Sequence, residues 1–442
     1  MENNELKKEI GLLAASAVVI GMVIGSGVFF KPTAIYTATG APGLGMIAWV
    51  IGGFITIAGG LTAAEVAAAI PKTGGMIVWL EETYGNVWGF LLGWVETVIS
   101  FPANIAALAI IFATQAVSLL GLGDGMLVIV AIISIIFLIV MNSLGAKVGG
   151  NIQTIFTIAK MVPILGIIIF GFINGNGGVA RLLPISAAGH PIATSLGSAL
   201  LATMFAYDGW IHIGNISGEL KNPKKDLPRA IIGGLLFVMA AYVLINMAYL
   251  FVLPASTLAA TKTPATDVAT ILFGAAGGQI ITVGILISIF GALNGNVLTG
   301  MRVPYAMAIE NKLPGSTWLA KIDAKTGTPI NCGILIGVIA ILMTLLGNFN
   351  QLTDLLVFVL WIFYVMTFIA VMVLRKKKPD LVRPYKVPLY PIVPLIAIVG
   401  GLYIIINTMI TQPLNAGLGL LLTVIGLPIY IIKRNKVMKI TK

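Results

Sequence analysis

The chain is poor in the groups on which most soluble chemistry depends. It has one cysteine in 442 residues, Cys332, so no disulfide can close within it. It has two histidines, His190 and His212, too scattered to form a metal cluster, and no metal or other cofactor is expected. No G-x-x-x-x-G-K-[ST] phosphate loop occurs, which excludes a primary pump of that kind, and no cluster of nucleophile and base marks an intramembrane enzyme. Charged side chains make up only 10% of residues. The longest hydrophilic connections, 171–191 and 310–329, are too short for a soluble catalytic domain, so an enzyme is not expected. Residues 1–10 are short and charged and lack a small-residue cleavage site, so no removable signal peptide is read there.

What is abundant is apolar sequence. Hydrophobic residues form 58% of the chain, and a bilayer crossing needs about 20 of them in a helix. Twelve spans are expected, near 11–36, 44–70, 87–119, 126–144, 151–172, 192–217, 229–253, 269–301, 330–347, 351–374, 388–409 and 414–432. The net charge of +11 fits orientation better than nucleic acid. With both termini cytoplasmic (1–10 and 433–442), basic residues gather on the inner side, and only Lys31, Arg181 and Lys262 fall outside. Lys160 alone lies within the membrane. A multi-pass protein of the cell (inner) membrane follows, with the lipid bilayer as its surroundings and no nucleic-acid partner.

Two spans are interrupted by residues that suit helix poorly. The first carries Gly25-Ser26-Gly27 and the sixth Phe205-Ala206-Tyr207-Asp208-Gly209-Trp210. Glycine costs about 1 kcal/mol relative to alanine inside a helix. The glycines of the second span (Gly52, Gly53, Gly59, Gly60) read as close helix packing. Breaks at corresponding places of two halves instead mark an inverted-repeat transporter. The halves are 11–173 (spans one to five) and 192–374 (spans six to ten), with 388–432 accessory.

A helix begun in mid-membrane offers free amides and the positive end of its dipole; one ended there offers carbonyls and the negative end. A zwitterionic amino acid satisfies both. Its carboxylate is expected on Ser26 Oγ and the amides of Ser26 and Gly27, and its ammonium on the carbonyls of Val23 and Phe205. Gly25 and Gly27 would let backbone approach the ligand, with Ala206 and Asp208 beside it.

At these residues the chain resembles the L-type amino acid transporters of the amino acid, polyamine and organocation superfamily, as a bacterial member. The resemblance rests on 23–29 (VIGSGVF), Ala64-Glu65-Val66 with 70–75 (IPKTGG), 156–160 (FTIAK), 205–210 with Gly218-Glu219 and Asn222-Pro223, 291–295 (GALNG) and 383–388 (RPYKVP). It implies an all-α membrane fold of the leucine-transporter type, twelve helices with a five-plus-five inverted repeat. It also implies amino acid exchange and Phe205 as an aromatic gate. Animal members join an ancillary glycoprotein through a disulfide from the loop after the third span; here 119–125 has no cysteine, so a chain that works alone as a monomer is expected.

A cation near the bilayer centre costs roughly 3 kcal/mol, so Lys160 needs a role. The resemblance makes it a tethered stand-in for the sodium ion of distant relatives, contacting carbonyls near Gly25 and coupling span five to span one. Sodium independence follows, with proton coupling left open. Tyr242 is a candidate to hydrogen-bond Lys160 or a broken helix, or else a packing residue. Asp208 either accepts from amides freed by the break or holds a substrate cation. Glu96 is expected to pair within the bundle. Glu65 and Glu219 are placed to lock an inner gate with nearby basic residues, whereas 375–378 reads as a solvated run facing anionic lipid.

A channel would need a repeated filter or rings of like residues, and neither occurs. The sequence therefore reads as a sodium-independent exchanger of neutral, small L-amino acids working by alternating access. Proton symport or exchange of cationic amino acids is the alternative.

Overall fold

A computed structural model of the chain describes residues 11–70, 72, 74–144, 160–211 and 220–440. Among these, every regular element is helical. The first group comprises α1 (Leu12–Val23), α2 (Gly27–Thr39), α3 (Pro42–Ala69), α4 (Met76–Tyr84), α5 (Asn86–Val95), α6 (Phe101–Leu119), α7 (Leu127–Ser143) and α8 (Met161–Asn174). Then come α9 (Ile192–Ala206), α10 (Pro223–Val252), α11 (Ala255–Ala260), α12 (Pro264–Gly300), α13 (Arg302–Ile309), α14 (Ser316–Leu319), α15 (Ile330–Leu346), α16 (Phe349–Lys377), α17 (Ile392–Thr411), α18 (Pro413–Val424) and α19 (Gly426–Ile440). Residues 1–10, Lys147, 156–159, His212 and Gly218-Glu219 lie outside the described residues.

Local chemistry fixes many of the ends. Pro42, Pro264 and Pro413 each open a helix, where the missing amide costs nothing. Gly40 closes α2 in the left-handed region at φ 60°, and a side chain there would strike the His190 ring at 2.5 Å. Eight of the described helices are long and apolar enough to cross a membrane, nine when α1 and α2 count as one bent span, and α8, α9 and α15 are shorter apolar helices. Three boundaries differ from expectation. The eighth segment starts at Pro264 and kinks at Gly274 (φ 72°), α16 runs on to Lys377, and the twelfth divides at Ile425.

The most buried element, α3, uses its glycines as contact points. A Cβ at Gly52 would meet Thr203 at 2.6 Å, at Gly53 Met239 at 2.5 Å, at Gly59 Phe368 at 2.7 Å and at Gly60 Ile231 at 2.7 Å. Small residues thus let α9, α10 and α16 press against one helix. Outward faces are apolar instead of polar. On α7, Ile129, Ile133, Phe137 and Val140 are about half exposed, a surface suited to lipid and not to water.

Candidate functional site

The first interruption falls between α1 and α2, whose axes bend by 49°. Beyond Val23 the chain turns extended at Ile24 (φ −69°, ψ 101°), and α2 starts at Gly27 with no side chain capping it. The last carbonyls of α1 and the first amides of α2 therefore lack helical partners at one place. Ser26 is buried there. Among the described residues, a Cβ on Gly25 would find only the Val23 carbonyl, at 3.9 Å.

At the place where the sequence predicts the second interruption, α9 ends at Ala206, and 212–219 lie outside the described residues. Tyr207 N still donates to Thr203 O at 2.9 Å, Asp208 N reaches Phe205 O only at 3.4 Å, and Gly209 turns the chain at φ 103°. The two breaks meet backbone to backbone. A Cβ on Gly27 would lie 2.6 Å from Ala206 Cα, and one on Gly209 would lie 2.7 Å from Met22 O. Gly27 thus makes room for the end of α9, whereas among the described residues the space beside Gly25 is open.

Two polar groups join the breaks. The buried Tyr242 hydroxyl, on α10, lies 2.9 Å from Ala206 O and 3.1 Å from Val23 O, so one donor bridges the final carbonyls of α9 and α1. The Val23 carbonyl, expected to meet a substrate ammonium, is engaged by this tyrosine and keeps one lone pair. Lys160, immediately before α8, donates to Gly21 O and to Ile24 O at 2.5 Å, so its ammonium sits on the negative end of the α1 dipole. Tyr242 does not contact Lys160; each holds different carbonyls of the same helix end.

Asp208 accepts from the Tyr364 hydroxyl of α16 at 2.8 Å, and no backbone amide among the described residues donates to it. Tyr364 carried no sequence signal beyond being a hydroxyl in an apolar span. Glu96 opens a π-helical turn, Glu96–Ser100, between α5 and α6. Such turns recur at functional sites. Glu96 has no ion pair among the described residues. Phe205 is buried, its ring 5.6 Å from that of Phe349 in an edge-on contact.

Both ends of α16 are tied to the first helices. Lys31, which the charge pattern places toward the outer side, is 0% exposed within α2. Its ammonium donates to Thr353 at 2.7 Å, and to Asn350 and Asp354 at 3.3 Å each. A lysine inside an apolar run, with an aspartate inside the tenth span, was the signal available for this pair. At the far end Glu65 receives two parallel bonds from Arg375, at 2.8 and 2.6 Å, and a third from Val387 N at 2.7 Å. Arg383 stands 3.7 Å away, so residues 383–388 are built around Glu65. Arg375 is therefore no solvated lipid-facing cation, and Lys378 bonds Glu82. Hydrogen bonds from Lys72, then Lys378, hold the partly exposed Glu82 carboxyl below the ordinary carboxylate range.

Residues 10–431 match the amino acid permease family model. The chain belongs to that family. It is 45% identical over 431 residues, 97% of each chain, to the serine/threonine exchanger SteT of Bacillus subtilis. It is 32% identical over 433 residues to the human large neutral amino acids transporter small subunit 2, covering 96% of this chain and 80% of that one. The mouse b(0,+)-type amino acid transporter 1 is 31% identical over 421 residues, 93% of this chain and 85% of the other. This permease is thus an L-type member of the amino acid, polyamine and organocation superfamily, a multi-pass membrane transporter and not an enzyme. For the permease, Tyr242→Phe is expected to slow transport roughly 10-fold, because two buried carbonyls lose their shared donor. The fold should persist through the ring's contacts with Trp49 (5.4 Å) and Tyr207 (5.1 Å). Initial rates with a thermal melt check this; an unaltered rate would reduce Tyr242 to packing.

Proposed function

We propose that the permease exchanges small neutral L-amino acids, serine and threonine among them, across the cell membrane by alternating access without sodium. The observation carrying this reading is the junction of two interrupted helices under one tyrosine, with free amides on one side and carbonyls on the other. An α-amino acid matches that polarity: carboxylate toward Ser26 and Gly27, ammonium toward the free lone pairs of Val23 and Phe205. Gly25 leaves the room, Ala206 and Asp208 border it, and Phe205 closes over it as a gate. Lys160 occupies the seat of a cation at the end of α1, which removes the need for sodium, and Lys160 with Tyr242 couples the state of the break to α8 and α10. The exchanger name of the Bacillus subtilis relative and the neutral amino acids of the human one support the substrate class.

The proposed architecture is twelve spans in a five-plus-five inverted repeat (11–173 and 192–374) with accessory spans at 388–432 and both termini cytoplasmic. Its support is that the long, bent and shorter apolar helices overlap the expected segments, and that most Lys and Arg lie in the termini and connections read as cytoplasmic. With no cysteine in 119–125, the chain acts as a monomer without a disulfide-linked subunit.

Proteoliposomes test the reading. Labelled serine should enter several-fold faster when the lumen holds unlabelled serine, and equally fast with choline replacing sodium. Uptake driven by an inward proton gradient into empty vesicles would make it a symporter, and strong competition by arginine would make its substrates cationic.

A further inference from the structure

Away from the breaks, α5 packs against the last two helices. The indole N–H of Trp94 donates to Leu422 O at 2.9 Å, and the rings of Phe90 and Tyr430 meet with centroids 5.3 Å apart. Beside that ring pair lies a cavity of about 810 Å³, walled by Trp88, Phe90, Leu91, Leu427 and Tyr430. Its size is that of a site for a whole small molecule, not for a few waters. Trp88 is 39% exposed at the start of α5, where an aromatic ring suits the boundary between lipid and water.

The rest of the lining is charged. Lys312 stands between Glu81 and Glu310, 2.6 Å from each, so its charge is more than matched by two carboxylates. Lys433, on α19, donates to Asn311 at 2.9 Å and joins two of the segments that border the cavity. It is also the first of five basic residues in the last ten of the chain, Lys433, Arg434, Lys436, Lys439 and Lys442, among which there is no Asp or Glu. Because α19 runs from Gly426 to Ile440, the helix that forms one wall carries most of this run away from the cavity.

A soluble anion would answer the basic run but leave the aromatic and aliphatic walls wet. An uncharged apolar molecule would cover the walls and ignore the charge. An amphiphile with acyl chains and a phosphate answers both, and a cluster of four to eight Lys and Arg directly after a membrane helix is the pattern that attracts anionic lipid. We infer that this cavity is a binding site for one anionic phospholipid, its acyl chains against Trp88 and Leu427 and its phosphate at Lys433. The orientation proposed above makes it a lipid of the cytoplasmic leaflet; the binding itself does not depend on that orientation or on transport.

Native mass spectrometry of the full-length permease in detergent tests the site, with dioleoyl phosphatidylglycerol and dioleoyl phosphatidylcholine as probes. The first phosphatidylglycerol should bind at least ~10-fold more tightly than phosphatidylcholine, since several basic residues act on it together. Lys433→Gln should weaken phosphatidylglycerol about fivefold, the worth of one basic residue beside an anionic lipid, and leave phosphatidylcholine unchanged. Val87→Trp, which fills the cavity from α5, should weaken both lipids. Lys376→Gln, which removes an exposed charge outside the cavity lining, should weaken neither.

Equal affinity for the two lipids would overturn the site, as would equal weakening by Lys433→Gln and Lys376→Gln, which would mean diffuse attraction to the whole charged surface. Displacement of the lipid by its deacylated headgroup, glycerophosphoglycerol, would make the ligand a soluble phosphate and overturn the lipid. Should Val87→Trp not fold, the two lysine variants decide. Serine exchange is measured separately, so its failure would sink the proposed function and leave the lipid affinities to judge the cavity.

Discussion

Replacing Lys160 with alanine is expected to cut exchange at least ~100-fold while leaving a folded protein. The ammonium donates to Gly21 O and Ile24 O, two carbonyls that the end of α1 cannot satisfy itself. Hydrogen bonds to a charged group contribute about 1.5–3 kcal/mol each, and every ~1.4 kcal/mol is tenfold in a rate or equilibrium constant. Losing both would let the α1 terminus drift from the α2 amides, which are only useful if both stay aimed at one point. The fold itself should lose less, because a cation no longer has to be kept out of water. Arginine should not rescue, since its planar fork cannot reproduce a compact ammonium between two carbonyls. Exchange rates beside a thermal melt make the check; wild-type rates in Lys160→Ala would remove the coupling role.

Gly27→Ala should be as severe, for a purely steric reason. Its new Cβ would stand 2.6 Å from Ala206 Cα and 2.7 Å from Ala206 Cβ, and the nearest of these is backbone that cannot swing aside. The broken helices would have to separate by roughly 1 Å, a displacement that costs on the order of 100-fold when two groups must act on one ligand. Gly25→Ala is the paired control. Among the described residues its Cβ meets nothing nearer than the Val23 carbonyl at 3.9 Å, so helix packing should survive and the added methyl take up ligand space. Gly27→Ala should therefore lower the maximal rate, and Gly25→Ala should chiefly raise KM. Normal transport by Gly27→Ala would show that the close approach of the breaks is dispensable.

Much of this molecule could be read from its sequence because membrane folding writes strong local signals. An apolar run of sufficient length becomes helix wherever backbone groups have no water to bind, so the described helices fall on the apolar runs of the sequence. The interruptions were legible as well. Gly25-Ser26-Gly27 and Tyr207-Asp208-Gly209 are poor helix formers whatever surrounds them, and the chain leaves helix at both. The role of each small residue was less legible, since Gly25 and Gly27 look alike in sequence while one borders open space and the other a backbone.

The charged residues mark the boundary of what local reading can do. Lys31 near the end of an apolar run counts only as a cation on the outer side until α16 brings Asp354 to it across 323 positions of chain. Arg375 likewise looks like one of several solvated lysines and arginines until Glu65 arrives from 310 positions away. Tyr364 gains meaning only from Asp208, and Tyr242 only from two carbonyls that belong to different helices.

By itself, the sequence determined the helical membrane character, the family and the places where the first helix breaks and α9 stops, because hydropathy, glycine content and motif are properties of neighbouring residues. Tertiary structure alone decided which carbonyls Lys160 and Tyr242 hold, how closely the breaks approach, and that α16 is pinned at each end. Those are pairings between distant segments, and an ion pair or a buried hydrogen bond exists only once packing has excluded water and set both partners within about 3 Å.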